Sequence, residues 1–487
     1  MTVMAPEDES GPVVQAPACD QVDIAVSDLH LSEGVQVRMH KRLTVLERLT
    51  RWFLSLFGSV PLPPFIRLEN PLEDFPHDGA FAEFLKKAVA RYPANECVLH
   101  LMGDAFDPLV VTWFGRFEDP PYETVGVRKM RKIIRGHPVF FDALAYFLRR
   151  PNVRLLIYVG NHDQFLVWPK VQSEIVRRLA GGDAGMAAKI VFIDQHRGFE
   201  HAERGVLYYH GMNADHHNRI DPESAILTHD FVGRKLKRPV LNKPDGSYMA
   251  ERVVNRIKSR NHLTGRVTRG RDMWMYAFLY QRWWGIFAGI LVVWDFVYRR
   301  IALWREPRKP TLSKTLKIVL YTIAEDSVDR MAERLLKERP EIKVVVLGHS
   351  HEWRRVSSNE GTYLNIGTWS LMYALIMGDR EVPWNRALVK FFAQVAIALT
   401  LVVLAWAFAP HAGWHVGPLA LSGGWTASLL FMLFALVFTI FPMSWDHPEV
   451  RQSSRLTFAL VRHYADGGRQ ADVMEYLPDQ KEIRECV

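Results

Sequence analysis

The chain has 487 residues, a hydrophobic content of 48% and a charged content of 23%. These values describe an ordinary globular protein with room for two or three domains, and they exclude a chain that is disordered throughout. The net charge of +8 is modest for this length but unevenly distributed. Three cysteines, Cys19, Cys97 and Cys486, lack the spacing of a metal or redox motif and are predicted to be reduced thiols of a cytosolic compartment.

Short apolar runs alternate with amphipathic segments along most of the chain. Strands are predicted at residues 22–26, 97–102, 153–159, 189–193, 205–209, 343–347, 353–357 and 362–366. Helices are predicted at 46–57, 81–92, 138–149, 174–179 and 327–338. This alternation predicts an α/β or layered α-β-β-α domain. In such a domain the functional site gathers at the carboxyl edge of the strands.

Polar side chains follow the predicted strands in five short blocks. The candidates are Asp28, His30, Asp104, Asn161, His162, His210, His349 and His351. One such block is more often an ordinary turn, but five in a row at strand ends are hard to explain by chance. In an extended segment, residues at i and i+2 point to one side, so a pair such as His349 and His351 can serve two metal positions. Carboxylate, imidazole and amide groups together suit two divalent cations, with a carboxylate bridging them.

As a set, the blocks resemble the five motifs of the calcineurin-like metallophosphoesterase superfamily, over residues 20–230 and 315–372. The blocks read Asp28-Leu29-His30, Gly103-Asp104-Ala105-Phe106-Asp107, Gly160-Asn161-His162-Asp163, His210-Gly211 and Gly348-His349-Ser350-His351. The resemblance implies a four-layer α-β-β-α metallophosphoesterase sandwich. It further implies that one metal is bound by Asp28, His30 and His351, that the other is bound by Asn161, His210 and His349, and that Asp104 bridges them.

The same resemblance implies a metal-dependent phosphoester hydrolase in which two cations activate a hydroxide that attacks phosphorus. His162 would be the catalytic histidine outside the ligand set, oriented by Asp107 or Asp163, between which the sequence does not choose. The metals are two divalent ions among Mn, Fe, Zn and Co. The segment from Ser27 to Leu31 is similar to the opening motif of the UDP-2,3-diacylglucosamine hydrolase branch. That branch carries arginine where this chain has His162, so the present form is closer to the broader superfamily.

Residues 231–314 form a basic and aromatic insertion between the fourth and fifth motifs. Residues 231–272 hold 12 Lys and Arg but three acids, Asp245, Glu251 and Asp272, a local excess of 12 − 3 = +9. This segment is interpreted as binding anionic lipid head groups, a phosphorylated substrate or nucleic acid. The alternatives are a solvated basic linker and a face that pairs with acidic loops. The Trp-rich run at 273–304 is too short in its apolar part to span a bilayer, and fits a helix in the membrane interface or a cap over the site.

Two uncharged apolar runs, 391–409 and 425–443, are each long enough to cross a bilayer. Basic residues flank the pair on both outer sides, which predicts a C-terminal two-helix transmembrane hairpin whose ends face the cytoplasm. The predicted organisation is a disordered tail at 1–20, a metallophosphoesterase domain in two parts at 21–230 and 315–375, the insertion, the hairpin at 376–445 and a cytoplasmic tail at 446–487. The expected location is the inner membrane of a bacterium, with the catalytic domain in the cytoplasm.

The expected substrate is a lipid-linked or nucleotide-linked phosphoester, with membrane lipids as the expected partner. A nuclease or cyclic-nucleotide phosphodiesterase would instead use the basic segment to hold a polyanion. A non-catalytic membrane scaffold with a degenerate phosphoesterase fold is the alternative outside enzymes. The oligomeric state is not predicted.

Overall fold

The computed structural model describes residues 19–34, 37–38, 66–67, 70, 72–93, 95–230, 233–259, 263, 266, 327–377, 380–381, 414–416, 419–421 and 449–486. The predicted helix at 46–57, the aromatic run at 273–304 and both predicted membrane spans lie outside these residues. Within them, no helix is both long and apolar enough to cross a bilayer. The hairpin therefore stays a prediction.

The larger sheet has seven strands. Four of them run parallel: β1 (Gln21–Val26), β2 (Glu96–Leu101), β3 (Val153–Tyr158) and β4 (Ile190–Ile193). Their apolar runs are buried on both faces, as expected for parallel strands covered on each side. The predicted strands at 22–26, 97–102, 153–159 and 189–193 are confirmed to within two residues at each end.

The smaller sheet has five strands and holds the fourth and fifth motifs. Its members are β5 (Glu200–Glu203), β6 (Val206–Tyr209), β7 (Val344–Leu347), β8 (Trp353–Ser357) and β9 (Thr362–Ile366), in the order β8-β9-β7-β6-β5. β7 runs parallel to both β6 and β9. The two parts of the domain, separated by the insertion in sequence, thus pair edge to edge in one sheet.

The two sheets pack face to face, and alternation along each strand places one set of side chains between them. Ala25 and Val98 of the larger sheet share a cluster with Val346 and Leu364 of the smaller. The intervening residues point outward into a second cluster with the helices. The described helices are α1 (Asp78–Ala90), α2 (Glu123–Gly136), α3 (Pro138–Leu148), α4 (Pro169–Ala180) and α5 (Ser327–Glu338).

The remaining described elements are short. The helical ones are Gln164–Val167, Ala184–Ala188, Gln195–Arg197, Met212–Ala214, Pro222–Ser224, Asp245–Met249, Ala250–Val254 and Asn255–Lys258. The extended ones are Val37–Arg38, Ile66–Arg67, Ile226–His229, Lys235–Leu241, Tyr373–Met377, Arg380–Glu381, Trp414–Val416, Leu419–Leu421 and Glu449–Gln452. The architecture is mixed α/β with two layered sheets, as predicted.

The C-terminal segment differs from its prediction as a separate tail. Residues 456–485 form β10 (Leu456–His463), β11 (Arg469–Leu477) and β12 (Glu482–Glu485), which complete the larger sheet in the order β12-β11-β10-β1-β2-β3-β4. β10 pairs antiparallel with β1, with Asp23 opposite Val461. Despite the mixed polarity that suggested a tail, β10 and β11 are largely buried, and charged residues on them are paired, as Asp472 is with Arg462 at 2.9 Å.

Candidate metal centre

All five sequence blocks lie at one edge of the paired sheets. Asp28, Asp104 and Asn161 follow the neighbouring parallel strands β1, β2 and β3, whereas His210 and His349 follow the parallel strands β6 and β7. Because parallel strands place their carboxyl ends together, loops far apart in sequence converge at this edge. The structure thus brings the predicted residues together.

The backbone of these loops is strained at the predicted ligands. Asp28, His30, Asp104, His349 and His351 have φ angles of 54°, 55°, 49°, 72° and 60°. Residues other than glycine rarely adopt this left-handed region, at a cost on the order of 1–3 kcal/mol each. Such strain persists where the surrounding structure enforces it, and here it aims five side chains into one space.

Two motif glycines are required by the close approach of ligand side chains. A Cβ atom on Gly160 would collide with the carboxylate of Asp104, and one on Gly348 would collide with Ser27 and would lie 2.7 Å from Asp28 Oδ2. Because they lack a side chain, these glycines of the third and fifth blocks allow the carboxylates of the first and second blocks to approach closely.

The first cluster consists of Asp28, His30 and His351. Nε2 of His351 lies 3.1 Å from Oδ1 of Asp28 and 3.2 Å from Nε2 of His30. The backbone N–H of His349 donates to the other carboxylate oxygen of Asp28 at 2.9 Å, which fixes its orientation. Nδ1 of His30 faces Asp107 at 3.5 Å, so that a proton on Nδ1 leaves Nε2 as a lone-pair donor toward the cluster.

The second cluster consists of Asp104, His210 and His349, with Asn161 beside them. Nε2 of His210 lies 3.3 Å from Oδ2 of Asp104 and 3.1 Å from Oδ1 of Asn161. Nδ1 of His210 lies 2.9 Å from the carbonyl of Met102, an arrangement that holds the ring with Nε2 facing inward. Asp104 also interacts electrostatically with His30, so it lies between the two clusters.

The donor set fits two divalent cations. The imidazole nitrogen of His210, the amide oxygen of Asn161 and the carboxylate of Asp104 are lone-pair groups that converge, which is favourable when a positive charge lies among them. Oδ1 of Asp28 is fully buried and lies 3.1 Å from Nε2 of His351, but it accepts no hydrogen bond of good geometry from the described part of the chain. Burial lowers the pKa of His210, but the Asp104 carboxylate, together with those of Asp28 and Asp163, overcomes this effect and raises the pKa to about 9. The local field therefore favours a positive charge, which a proton or a cation can supply.

The structure chooses between the two carboxylates that the sequence left open for His162. Nδ1 of His162 lies 3.0 Å from Oδ2 of Asp107, and the His162 side chain is 28% exposed at the edge of the site. Asp163 instead accepts backbone N–H groups of Gly160 and Ala105 at 2.6 and 3.0 Å, which ties two motif loops together. Asp107 is therefore the residue that orients His162.

The carboxylates around His162 change its protonation. Burial lowers the pKa of His162, but the nearby Asp107 and Asp104 carboxylates overcome this effect and raise it to about 10. The imidazole is therefore protonated near neutral pH and can give up a proton. Because Asp107 lies beside both His30 and His162, it links the first candidate cluster to this protonated imidazole.

Three supporting side chains were missed or only partly recognised in the sequence. Thr368 donates to the Asp28 carbonyl at 2.6 Å, and Asp215 approaches Nε2 of His349 at 3.9 Å. Asn365, near the end of β9, donates to Ser350 at 2.8 Å within the fifth block. Nothing in the local sequence distinguishes Thr368 or Asp215 from ordinary loop residues, because their role depends on a contact made across the fold.

Part of the basic insertion packs against these loops. Lys243 pairs with Asp119 and Glu251 at 3.0 and 2.6 Å, and all three side chains are buried. Among the described residues of the insertion, Arg252, Lys258 and Arg266 are also buried and face Glu118 or Asp74. Of the interpretations offered for the segment, pairing with acidic loops is the one that these residues show.

The same part of the insertion adjoins the motif loops directly. Asn255 donates to the carbonyl of Leu109 at 2.9 Å, and Gln164 donates to Ser247 at 2.7 Å. These contacts join residues 245–258 to the segments that follow Asp107 and Asp163. The described insertion is therefore a wall of the site.

Comparisons with known proteins add little to this geometry. No protein-family model and no curated protein matches the sequence. Among solved structures, the chain is similar to a crystal structure of a dimetal phosphatase from Danio rerio, with 10% identity, a TM-score of 0.26, and coverage of 96% of this chain and 98% of that one. A TM-score this low carries no inference, so the functional assignment rests on the side chains at the sheet edge.

Proposed function

We propose that the protein is a metal-dependent phosphoester hydrolase. One observation carries the proposal: two adjoining clusters of buried carboxylate and imidazole groups, with Asp104 between them, meet at the carboxyl edge of two sheets. The first cation would be held by Asp28, His30 and His351, the second by Asn161, His210 and His349, and Asp104 would bridge them. Two cations at such a site supply Lewis acidity, which activates water and stabilises negative charge on phosphoryl oxygens.

The protein's own residues supply the proton. His162 holds a proton near neutral pH because of Asp107 and Asp104, and its partial exposure places the ring where a substrate can reach it. It would donate that proton to the ester oxygen that leaves phosphorus, or stabilise the charge that develops there. Asp107 keeps the ring in position during this transfer.

Hydrolysis of an aryl phosphate monoester and an aryl phosphodiester, with Mn²⁺ added, tests the proposal. Asp104→Ala and His349→Ala are expected to abolish hydrolysis, since each removes a ligand of the proposed centre. Asp142→Ala and His229→Ala are the matched controls, because both residues are exposed and outside the clusters. Full activity in Asp104→Ala would show that the assignment is wrong.

Metal analysis of the purified protein separates an enzyme from a scaffold. About two equivalents of a transition metal, lost together with activity on chelation, support the enzyme. A folded protein that binds no metal under any loading condition would favour the non-catalytic scaffold instead.

The substrate class and the location of the protein are further parts of the proposal. The two long apolar runs at 391–409 and 425–443 support membrane anchoring, and the local excess of positive charge at 231–272 suits a substrate rich in phosphate. A lipid-linked or nucleotide-linked phosphoester at the cytoplasmic face satisfies both features. Hydrolysis screens of a total lipid extract and a nucleotide panel, with detergent-solubilised protein, distinguish these substrates from nucleic acid.

A further inference from the structure

An aromatic turn projects from the loop that follows the second motif. Trp113 and Arg116 exchange two backbone hydrogen bonds of 2.7 and 3.0 Å, which closes a two-residue turn around Phe114 and Gly115. Both central residues have positive φ angles, 47° and 78°, a geometry in which asparagine or aspartate followed by glycine is usual. Phe114 is a bulky exception, and its side chain is 85% exposed.

This exposed phenylalanine is unusual in two independent respects. A left-handed backbone is unfavourable for an aromatic residue. In addition, a large apolar side chain that stays in water does not contribute the stabilising free energy of burial. The Trp113 ring lies against it in an edge-on contact with 4.8 Å between ring centroids. The turn therefore holds an apolar tip outward at a cost to folding, as is common at functional surfaces.

Basic side chains of α2 surround this tip. The groove between the turn and the helix is lined by Arg128, Arg131, Lys132 and Arg135. Arg128 lies over the Trp113 ring at 4.9 Å, and Arg116 of the turn is exposed.

Acidic residues neutralise only part of this surface. Glu174 pairs with Arg131 at 2.5 Å, and Glu33 pairs with Lys132 at 2.8 Å. In the described part of the chain, no carboxylate forms an ion pair with Arg116, Arg128 or Arg135. We refer to residues 112–116 together with Arg128, Arg131, Lys132 and Arg135 as the aromatic-basic patch, and its net charge is positive.

The patch adjoins the metal centre. Lys132 donates to the carbonyl of Thr112 and to Glu33, both at 2.8 Å, and so joins α2 to the turn and to the loop after the first motif. Glu33 follows His30 by three residues, and Thr112 follows Asp107 by five. A surface bound at the patch would therefore lie beside two of the loops that hold the candidate ligands.

We propose that the aromatic-basic patch docks the domain on a membrane that carries anionic phospholipids, with Phe114 inserted at the interface. Trp and Phe favour the boundary between head groups and acyl chains, whereas Lys and Arg bind the anionic head groups at the membrane surface. A protruding, strained apolar tip suits insertion into a deformable apolar layer. This docking does not depend on the metal chemistry.

A nucleic acid is the competing occupant, since exposed aromatic rings also stack on bases. The arrangement favours the membrane because Phe114 protrudes and Trp113 is occupied by Arg128 and Phe114, whereas a base-stacking platform offers open ring faces along a groove.

Site-directed fluorescence on the full chain reconstituted in liposomes tests the docking. Cys486 is replaced by serine, and bimane is attached at Thr112→Cys beside the turn or, as the matched control, at Val356→Cys on the edge strand of the smaller sheet, where the native valine is 48% exposed. Lipids brominated in their acyl chains quench bimane that lies at the interface. For the label at 112, we expect quenching in vesicles containing phosphatidylglycerol and weaker quenching in phosphatidylcholine alone. For the label at 356, we expect no quenching.

Two variants probe the two components of the patch. Phe114→Ser should reduce quenching at 112, and Arg128→Gln with Arg135→Gln should lower the ratio of docked to undocked protein roughly thirtyfold, given about 1 kcal/mol per cation near an anionic surface. Lys87→Gln with Arg91→Gln, on and just after α1, is the charge-matched control and should have no effect.

Three outcomes would overturn the docking. They are no quenching at 112, equal quenching at 112 and 356, or bimane at 112 that responds to a single-stranded oligonucleotide and not to anionic vesicles. Phe114→Ser should retain hydrolysis of a soluble aryl phosphate. Failure of the proposed enzymatic function, seen as no hydrolysis by the unmodified protein, is thus distinguishable from failure of the docking.

Discussion

Two of the buried clusters of aspartate and histidine in the described part of the chain differ in how their charge is balanced. One is the candidate metal centre at the sheet edge. The other lies between the two sheets, around Asp23, which accepts hydrogen bonds from Gln21 at 2.8 Å, Tyr208 at 2.5 Å and His463 at 2.9 Å. Each carboxylate oxygen of Asp23 thus has a donor within the protein, and its backbone is that of a regular strand.

At the sheet edge the balance is reversed. Asp28 Oδ1 and the inward nitrogens of His30 and His351 face one another, and the backbones of these three residues are left-handed. Aspartate and histidine occur in both places, so their presence alone does not make a metal site. An excess of acceptors over donors does, because an external cation is then the missing partner.

A third cluster shows an intermediate solution. His137 lies between Asp78, at 3.1 Å, and Glu73, at 3.2 Å, and is buried. Burial lowers the pKa of His137, but hydrogen bonds to Asp78 and Glu73 more than offset this and raise it to about 9. At His137, a proton on the imidazole balances the negative charge of the neighbouring carboxylates. At Asp23, neighbouring hydrogen-bond donors stabilise the carboxylate charge.

The comparison is tested most directly by isosteric changes at its two centres. Asp28→Asn is expected to lose a bound cation and all hydrolysis, with little change in the stability of the metal-free protein, because it relieves a surplus of acceptors. Asp23→Asn should keep both metals and activity but lose about 3 kcal/mol of unfolding free energy, because a buried charge-assisted network is broken. Metal content and urea unfolding in the presence of chelator measure both effects. Loss of metal in Asp23→Asn, or a large loss of stability in metal-free Asp28→Asn, would contradict the distinction between the two clusters.

His137 predicts a pH dependence of stability. Its folded-state pKa of about 9 lies above the ordinary value of 6.5. The stabilisation is therefore complete below about pH 6.5 and is lost as pH rises through about 9, up to about 3 kcal/mol for a buried group. Urea unfolding at several pH values should show this decrease in the unmodified protein relative to His137→Gln. Parallel curves for the two proteins would exclude the assigned charge.

Asp107→Asn tests the link between the metal cluster and the proton donor. Loss of this orienting carboxylate is expected to reduce hydrolysis roughly 10–100-fold. It should also move the alkaline limb of the pH–rate profile to lower pH, because Asp107 is the main group that raises the pKa of His162. Asp142→Asn, at an exposed site on α3, is the control. An unchanged pH profile would show that His162 is not the acid.

The smallest effect is expected from Tyr208→Phe. This change removes one donor to Asp23 and preserves the ring, so unfolding free energy should fall by about 1–2 kcal/mol. Hydrolysis and metal content should not change, because Tyr208 lies between the sheets and outside the candidate metal clusters. A loss of activity without a loss of stability would show that the two clusters are coupled.

Much of the fold and the candidate site could be predicted from local sequence. Apolar runs with polar residues directly after them predict buried strands and their functional ends, because both signals depend on neighbours in the chain. Asp28, Asp104 and His349 were found in this way, as were the strands that precede them. The C-terminal strands were not, because β10 is defined by its pairing with β1, more than four hundred residues away in sequence.

The tertiary structure alone decided how the polar groups are partnered. It assigned Asp107, and not Asp163, to His162, and it buried Lys243 and Lys258 against acids of distant loops. Hydrogen-bond and ion-pair partners depend on distances of a few ångströms between segments that the sequence separates widely. The sequence by itself therefore determined which residues reach the sheet edge. The packing of the two sheets decided which of their polar groups have too few hydrogen-bond donors nearby and are suited to bind a cation.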